Sequence, residues 1–233
     1  MEGDDFDWAA DVMERRRTVY EGFSPVFWKP ASGVRDMHAG FLRAQVDGGG
    51  AVGLRTRSGF VLAAIRGDRY EVDDFAVEPD HRWSTDGPRL LRSVVEHGPL
   101  GRPAHIRVVT ARQDVAKRTM LQDLGLEVAS RWWVKPLRPA APAEVRFAEV
   151  RVAGSPAVLV PAPPVYAPGG PVCMLSDVDA GLAGRAARDA EEVGAVLAIV
   201  TRDAAPASDE PELTAAGFDN ASVFFAGSVG PTG

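Results

Sequence analysis

Apolar positions along the chain follow two rhythms, and the places where one gives way to the other mark its elements. Trp8, Val12, Val19 and Phe23 recur at helical spacing, which predicts a helix over residues 7–22. Arg15, Arg16 and Arg17 lie within it as a basic run and read as a solvated helix face. The following S-P-V-F-W-K-P is extended around its prolines, with Phe27 and Trp28 as a core plug. A second helix is predicted over 32–46, capped by Ser32, with Met37, Phe41 and Leu42 inward. Residues 51–56 and 59–66 form a hairpin around Arg57-Ser58, and a turn at Gly67-Asp68 leads into the alternating strand 70–77. A polar loop over 78–88 then opens a helix carrying Leu90, Leu91, Val94 and Val95 on one face.

A loop over 99–103 and a buried strand over 104–110 come next. A helix over 114–124 has Val115, Met120, Leu121 and Leu124 on its apolar side, and a strand follows over 127–137. The Pro- and Ala-rich stretch 138–144 reads as a linker. This predicts two domains, 1–138 and 145–233, joined through 139–144. The second half offers strands at 145–152, 157–160, 172–176, 195–201 and 222–226. Its helices fall at 181–194, with Leu182, Ala186, Ala190 and Val193 on one side, and at 210–216. The order strand–helix–strand–helix–strand of the first half thus recurs. An unrelated α/β appendage is the competing reading.

Composition narrows the function classes. The chain has 233 residues, 45% hydrophobic and 25% charged, as in an ordinary globular protein. A net charge of −6 and a pI near 5.3 argue against a nucleic-acid-binding surface across the whole molecule. The single Cys173 excludes an intramolecular disulfide and a cysteine-rich metal site, and its apolar setting predicts a buried thiol. His38, His81, His97 and His105 lack metal-ligand spacing. The acidic N-terminal stretch is unlike a signal peptide, and no apolar run is long enough to span a membrane, so a cytoplasmic protein is expected. Lys29, Lys117 and Lys135 are the only lysines in an Arg-, Ala-, Gly- and Pro-rich chain, as in GC-rich bacterial coding.

Two motifs carry a family likeness. Arg82, Thr85 and Gly87 stand as R-x-x-T-x-G, after Val77-x-Pro79 and before Leu90-Leu91. This resembles the acetyl-CoA loop of the GNAT N-acetyltransferase superfamily, R/Q-x-x-G-x-G/A in the same setting. D-V-A-K-R-T-M-L-Q-D-L-G-L over 114–126 resembles the second GNAT signature, N-x-x-A-x-x-L-Y-x-x-x-G-F, with Asp114 in the Asn slot and Leu121 in the Tyr slot. The resemblance implies an α/β fold: a GNAT-like mixed twisted sheet flanked by helices, followed by a truncated GNAT-like repeat. It implies acetyl-CoA as cosubstrate, its pantetheine arm along Phe75, Ala76 and Val77. Its phosphates would lie at Arg82, Trp83, Ser84, Thr85, Asp86, Gly87 and Pro88, with Asp114 and Lys117 behind them. It also implies an amine-bearing small molecule or peptide as acceptor, with neither nucleic acid nor membrane as partner; a homodimer is compatible with it. The sequence departs from the pattern at Thr85, where a β-branched residue takes positive φ at a cost, at Asp86 and at Leu121. In the family that tyrosine often protonates the leaving thiolate, which leucine cannot do.

Amine acetylation needs a proton acceptor. By strand alternation Glu71 and Asp73 share a face and Asp74 points to the other. Like charges on one face raise at least one pKa, so Glu71 and Asp73 are the candidate bases and a cationic acceptor is favoured. A backbone N–H at a strand bulge near Phe75 or Ala76 would polarise the thioester carbonyl. Tyr20, Tyr70 and Tyr166 are the tyrosines that could replace the missing acid. The bland alternative leaves the three acids solvated at a strand end. The chain is then a catalytically degenerate GNAT-fold acyl-CoA-binding or interaction module.

Overall fold

The computed structural model describes residues 1–100, 105–144, 147–167, 170–176, 178–204 and 209–230. The expected loop at 99–103, the strand starts at 104 and 145, and Asp177 of the second-half loop therefore fall partly or wholly outside the described residues. The first half runs α1 (Asp5–Phe23), α2 (Val34–Asp47), β1 (Ala51–Arg55), β2 (Gly59–Arg66), β3 (Arg69–Val77), α3 (Trp83–His97), β4 (His105–Ala111), α4 (Val115–Asp123) and β5 (Glu127–Pro136). The second runs β6 (Ala148–Val152), β7 (Ser155–Pro161), β8 (Pro171–Leu175), α5 (Ala183–Glu192), β9 (Leu197–Asp203), α6 (Glu210–Ala215) and β10 (Asp219–Ser228). Both halves read β–β–β–α–β–α–β, so the fold is mixed α/β and the internal repeat is present in the element order.

The chain forms two compact units built from interleaved segments. Unit one holds Met1–Val19, Gly33–Ala129 and the segment from Phe224 onward; unit two holds Tyr20–Ser32 and Ser130–Val223. Each half therefore gives up part of its last strand. Most of β5 lies in unit two, where it pairs antiparallel with β9 from Ser130↔Asp203 to Pro136↔Leu197. The end of β10 lies in unit one beside β4, where the Gly227 carbonyl is 3.1 Å from His105 Nδ1 and the Arg107 guanidinium stands 4.2 Å over the Phe224 ring. Residues 139–144, expected as a linker, fall within unit two, where Ala143 N–H donates to the Gly194 carbonyl at 3.0 Å.

In unit one β1, β2 and β3 pair antiparallel and β3 pairs parallel with β4. Phe6, Ala9, Val12 and Met13 of α1 and Leu42 of α2 bury against Ala51, Phe60, Leu62 and Ala76. Each large side chain taken from water contributes about 1.5–3 kcal/mol. In unit two β6, β7 and β8 pair antiparallel and β8 runs parallel to β9. Ala183, Ala186, Ala187 and Ala190 of α5 face one side of that sheet, where the absence of bulk permits close approach. Val26 and Phe27 pack on Val134, Val172, Leu197 and Ile199 on the other. Trp28 is buried and donates its indole N–H to the Ala221 carbonyl at 3.1 Å, so the Phe27-Trp28 pair is the expected core plug.

Several expectations need correction. Met37 and Phe41 are 44% and 46% exposed; the buried stripe of α2 is Val34, His38, Ala39 and Leu42, turned inward by the His38–Asp74 contact. Ser32 is not the N-cap, because the helix starts after Gly33 at φ 70°. Val115 is 67% exposed as the first residue of α4. Leu182 and Val193 are exposed because they flank α5 rather than belong to it. The basic run of α1 is not a solvated face: Arg15 is exposed, but Arg16 and Arg17 are buried. Cys173 is buried as expected, and burial pushes its thiol up to about 11. Among the described residues no helix is long and apolar enough to cross a membrane.

The exchange of last strands sets an expectation for truncation. A fragment of residues 1–137 lacks Phe224 and its neighbours, so the β4 edge and the Arg107 stem lose their cover. It is expected to aggregate or to melt with low cooperativity by circular dichroism, and a soluble fragment as stable as the whole chain would mean that unit one does not need the strand.

Candidate active site

The site is built around the point where β3 and β4 part. Their parallel register runs Arg69↔His105, Tyr70↔Ile106, Glu71↔Arg107 and Val72↔Val108 and then stops, while β3 continues to pair with β2 as far as Gly59↔Val77. At the same point β3 bulges. Leu62 pairs with Asp74 and Ala64 with Glu71, so Val72 and Asp73 together oppose Ala63. The bulge was expected near Phe75 and Ala76, but those residues pair regularly with Val61 and Phe60. An extra residue breaks strict alternation, so three adjacent acids receive three environments.

Glu71 is half-buried, 2.7 Å from Arg69 Nε and 3.5 Å from Arg107 Nη1. Asp74 is buried, 2.9 Å from His38 Nε2 and 3.5 Å from Arg17 Nη2. Burial pushes its carboxyl up, but His38, Arg17 and Lys117 outweigh that and hold it below the usual range. Asp73 is exposed at the bulge. Desolvation there, reinforced by Asp74 and Glu71, pushes its carboxyl up to about 6 against the opposing pull of Lys117 and Arg107.

Beneath the parted strand lies a layer of buried charge. Asp114 caps α4 by accepting the Lys117 amide at 3.2 Å. Arg16 bridges Asp80 Oδ1, at 2.7 Å, and Asp114 Oδ2, at 2.5 Å, with its guanidinium 5.3 Å from the Trp83 ring centre. Trp83 is buried edge-on to Phe75 at 4.9 Å. Lys117 is buried with these two rings around its ammonium, at 5.1 and 5.5 Å, and Nζ donates to the Phe75 carbonyl at 3.1 Å. Burial draws its ammonium down to about 7, helped by Arg16 and opposed by Asp114, Asp73 and Asp74.

The expected phosphate loop is already helix. A 3-10 turn at Asp80–Arg82 feeds α3, which begins at Trp83, so Ser84, Thr85, Asp86, Gly87 and Pro88 lie inside it. The Arg82 and Trp83 amides bond to the Pro79 and Asp80 carbonyls. Ser84 and Thr85 fold their hydroxyls back onto the His81 and Arg82 carbonyls at 3.2 and 3.3 Å. Asp86 accepts the Ser58 hydroxyl and lies 4.0 Å from Arg82 Nε. Gly87 serves packing, since a Cβ there would stand 3.0 Å from Met120 of α4. Thr85 therefore needs no positive φ. Arg82 and His81 are exposed; Leu121 is buried.

Sequence reasoning missed Arg16, Arg17 and His38. Arg16 pairs with residues 64 and 98 positions away, and no local pattern announces that. Of the three tyrosines, Tyr70 is buried with its hydroxyl accepting the Leu100 amide at 3.1 Å. Tyr20 and Tyr166 belong to unit two, packed on Trp28. Among the described residues no cluster of His, Cys, Asp and Glu could hold a metal ion.

No known family profile and no curated protein matches the chain. Solved structures do resemble it. One is a protein of Pyrococcus horikoshii provisionally assigned as an acetyltransferase, at 14% identity and TM-score 0.49 over 95% of this chain and 87% of that one. A GCN5-related N-acetyltransferase from Sphaerobacter thermophilus aligns at 12% and TM-score 0.45 over 75% and 78%. A tandem GNAT protein from the clavulanic acid biosynthesis pathway aligns at 14% and TM-score 0.40 over 77% and 82%. All three TM-scores are under 0.5 and all identities under 15%, too slight a likeness for function to pass from those proteins to this chain.

Two measurements follow from the buried charges. Arg16→Met removes the guanidinium that bridges Asp114 and Asp80 and is expected to cost about 3–5 kcal/mol in urea unfolding; a cost under 1 kcal/mol would mean that the bridge is incidental. Asp73 has a folded pKa above its unfolded one, so the folded state binds the extra proton between about pH 4 and 6 and stability falls as pH rises through that window. Asp73→Asn should therefore raise the melting temperature at pH 7, and the gain should vanish below pH 4.

Proposed function

We propose that the chain is a GNAT-type N-acetyltransferase that moves an acetyl group from acetyl-CoA to an amine, with Asp73 as general base. The observation that carries this is the solvent-reached Asp73 carboxyl, pushed up to about 6 at the bulge beyond which β3 leaves β4. The likeness of the motifs at 82–87 and 114–126 to the GNAT signatures names the reaction.

The residues fit the cosubstrate. Arg82 is exposed at the start of α3, suited to phosphates. Phe75, Ala76 and Val77 lie where β3 has left β4. Asp86, whose charge would oppose a diphosphate, is engaged by Ser58 and Arg82. Trp83, Gly87 and Asp114 build the floor rather than touch a ligand, while Ser84, Thr85 and Pro88 shape the first turns of α3. Bound acetyl-CoA supplies the acyl carbon. Asp73 takes a proton from the acceptor amine and is ionised for that task above about pH 6. Glu71 is held by Arg69 and Arg107 and positions the strand. The acidic run at residues 71–74 favours a cationic acceptor such as a polyamine, an aminoglycoside or a peptide N-terminus.

A second reading keeps the fold and acyl-CoA binding without turnover. It is favoured by Leu121 in the tyrosine slot and by the full burial of Tyr70, the one tyrosine of unit one.

Calorimetry with acetyl-CoA and a thiol-release assay over a panel of amines separate the two. Arg82→Ala should weaken binding, and Asp73→Asn should lower kcat by about 10²–10⁴-fold with little change in acetyl-CoA affinity. Binding without release for any amine would favour the second reading, and no heat at millimolar acetyl-CoA would sink both.

A further inference from the structure

We infer that Lys117 donates the proton to the leaving thiolate, from its place beneath the unpaired end of β3; the inference rests on the acetyltransferase reading above. Lys117, Met120 and Leu121 form the buried face of α4, so Lys117 lies one helical turn before Leu121 on the same side. Its Nζ is bonded to the Phe75 carbonyl, on the part of β3 that has left β4. The Phe75 and Trp83 rings fix the ammonium in that position. An ammonium in such a place is costly, and a methionine would fill the same space without the cost of desolvating a charge.

Burial and Arg16 of α1 weaken the hold of Lys117 on its proton, against Asp114 at the head of its own helix and Asp73 and Asp74 of β3. Together they bring the ammonium to about 7. A thiol has a pKa of roughly 8.5, so proton transfer from Lys117 to the departing sulfur runs downhill. The step balances. The acyl carbon–sulfur bond breaks as the carbon–nitrogen bond forms. The neutral amine's proton passes to Asp73, the sulfur takes the Lys117 proton, and one proton returns from Asp73 to Lys117 before the next turnover. Asp73 must start ionised and Lys117 protonated, so kcat rises through about pH 6 and falls above about pH 7.

With only three lysines in the chain, carbon-13 NMR of lysine-labelled protein reads the group directly. The resonance missing from Lys117→Met is expected to titrate near neutral pH and to move when acetyl-CoA is added. Lys117→Met and Lys117→Gln should each lose about 10²–10⁴-fold in kcat, keep acetyl-CoA affinity by calorimetry within a few-fold, and lose the alkaline limb of the pH profile. If one of these variants fails to fold, the other serves, and the wild-type alkaline limb matched to the lysine titration is read independently. A folded variant with undiminished kcat and the same alkaline limb would overturn the role of Lys117 and leave the acetyltransferase reading standing. A lysine resonance indifferent to bound acetyl-CoA would overturn it too. No acetyl-CoA binding and no turnover in the wild type would overturn the acetyltransferase reading and this inference with it.

Discussion

The parallel register of β3 and β4 ends after four residue pairs, and the chemistry of unit one follows from that interruption. Backbone groups that leave a ladder inside a protein need other partners. The Phe75 carbonyl finds one in the Lys117 ammonium, which draws a charge into a place where apolar rings surround it. Charge at that depth needs company, and Asp114, Arg16 and Asp80 provide it in sequence. The bulge that accompanies the parting sends Asp74 inward and leaves Asp73 exposed. One break in a ladder thus organises α1, α3, α4 and the central strand.

The same arrangement pushes two groups of opposite type toward neutrality from opposite ends of the scale. Asp73 rises because its carboxylate is desolvated beside other acids; Lys117 falls because its ammonium is desolvated beside Arg16. Environments that bring an acid and a base into one pH range are what acid–base chemistry requires. For stability the signs differ. Lys117 binds its proton more weakly folded than unfolded, so its burial is most costly below about pH 7 and the penalty fades as pH rises from there toward the unfolded value. Asp73 is penalised on the alkaline side of its titration.

Much of the fold could be read from periodicity, because apolar spacing is a local property that burial makes visible. The hairpin of β1 and β2, the helical Leu90-Leu91-Val94-Val95 face and the repeated element order are of this kind. What escaped is non-local. Arg16 and Arg17 look solvated unless Asp80, Asp114 and Asp74 are known to converge on them. His38 carried no signal beyond its lack of metal-ligand spacing, because its partner lies 36 positions on. Gly87 was legible as a glycine, but its close approach to Met120 was not. Alternation put Glu71 and Asp73 together; one extra residue in the strand separates their environments, and a bulge leaves no mark in the apolar pattern.

The crossing of the two final strands has a consequence in time. The contact between His105 and Gly227 spans 122 residues, a long loop to close and a feature of slow-forming topologies. During synthesis at 5–20 residues per second, the roughly 100 residues between β4 and β10 take about 5–20 s to appear. Throughout that interval the nascent first unit presents the β4 edge that β10 will cover. An open edge is an invitation to foreign strands, so the nascent chain's exposure to misassembly is set by the order in which its sequence is made.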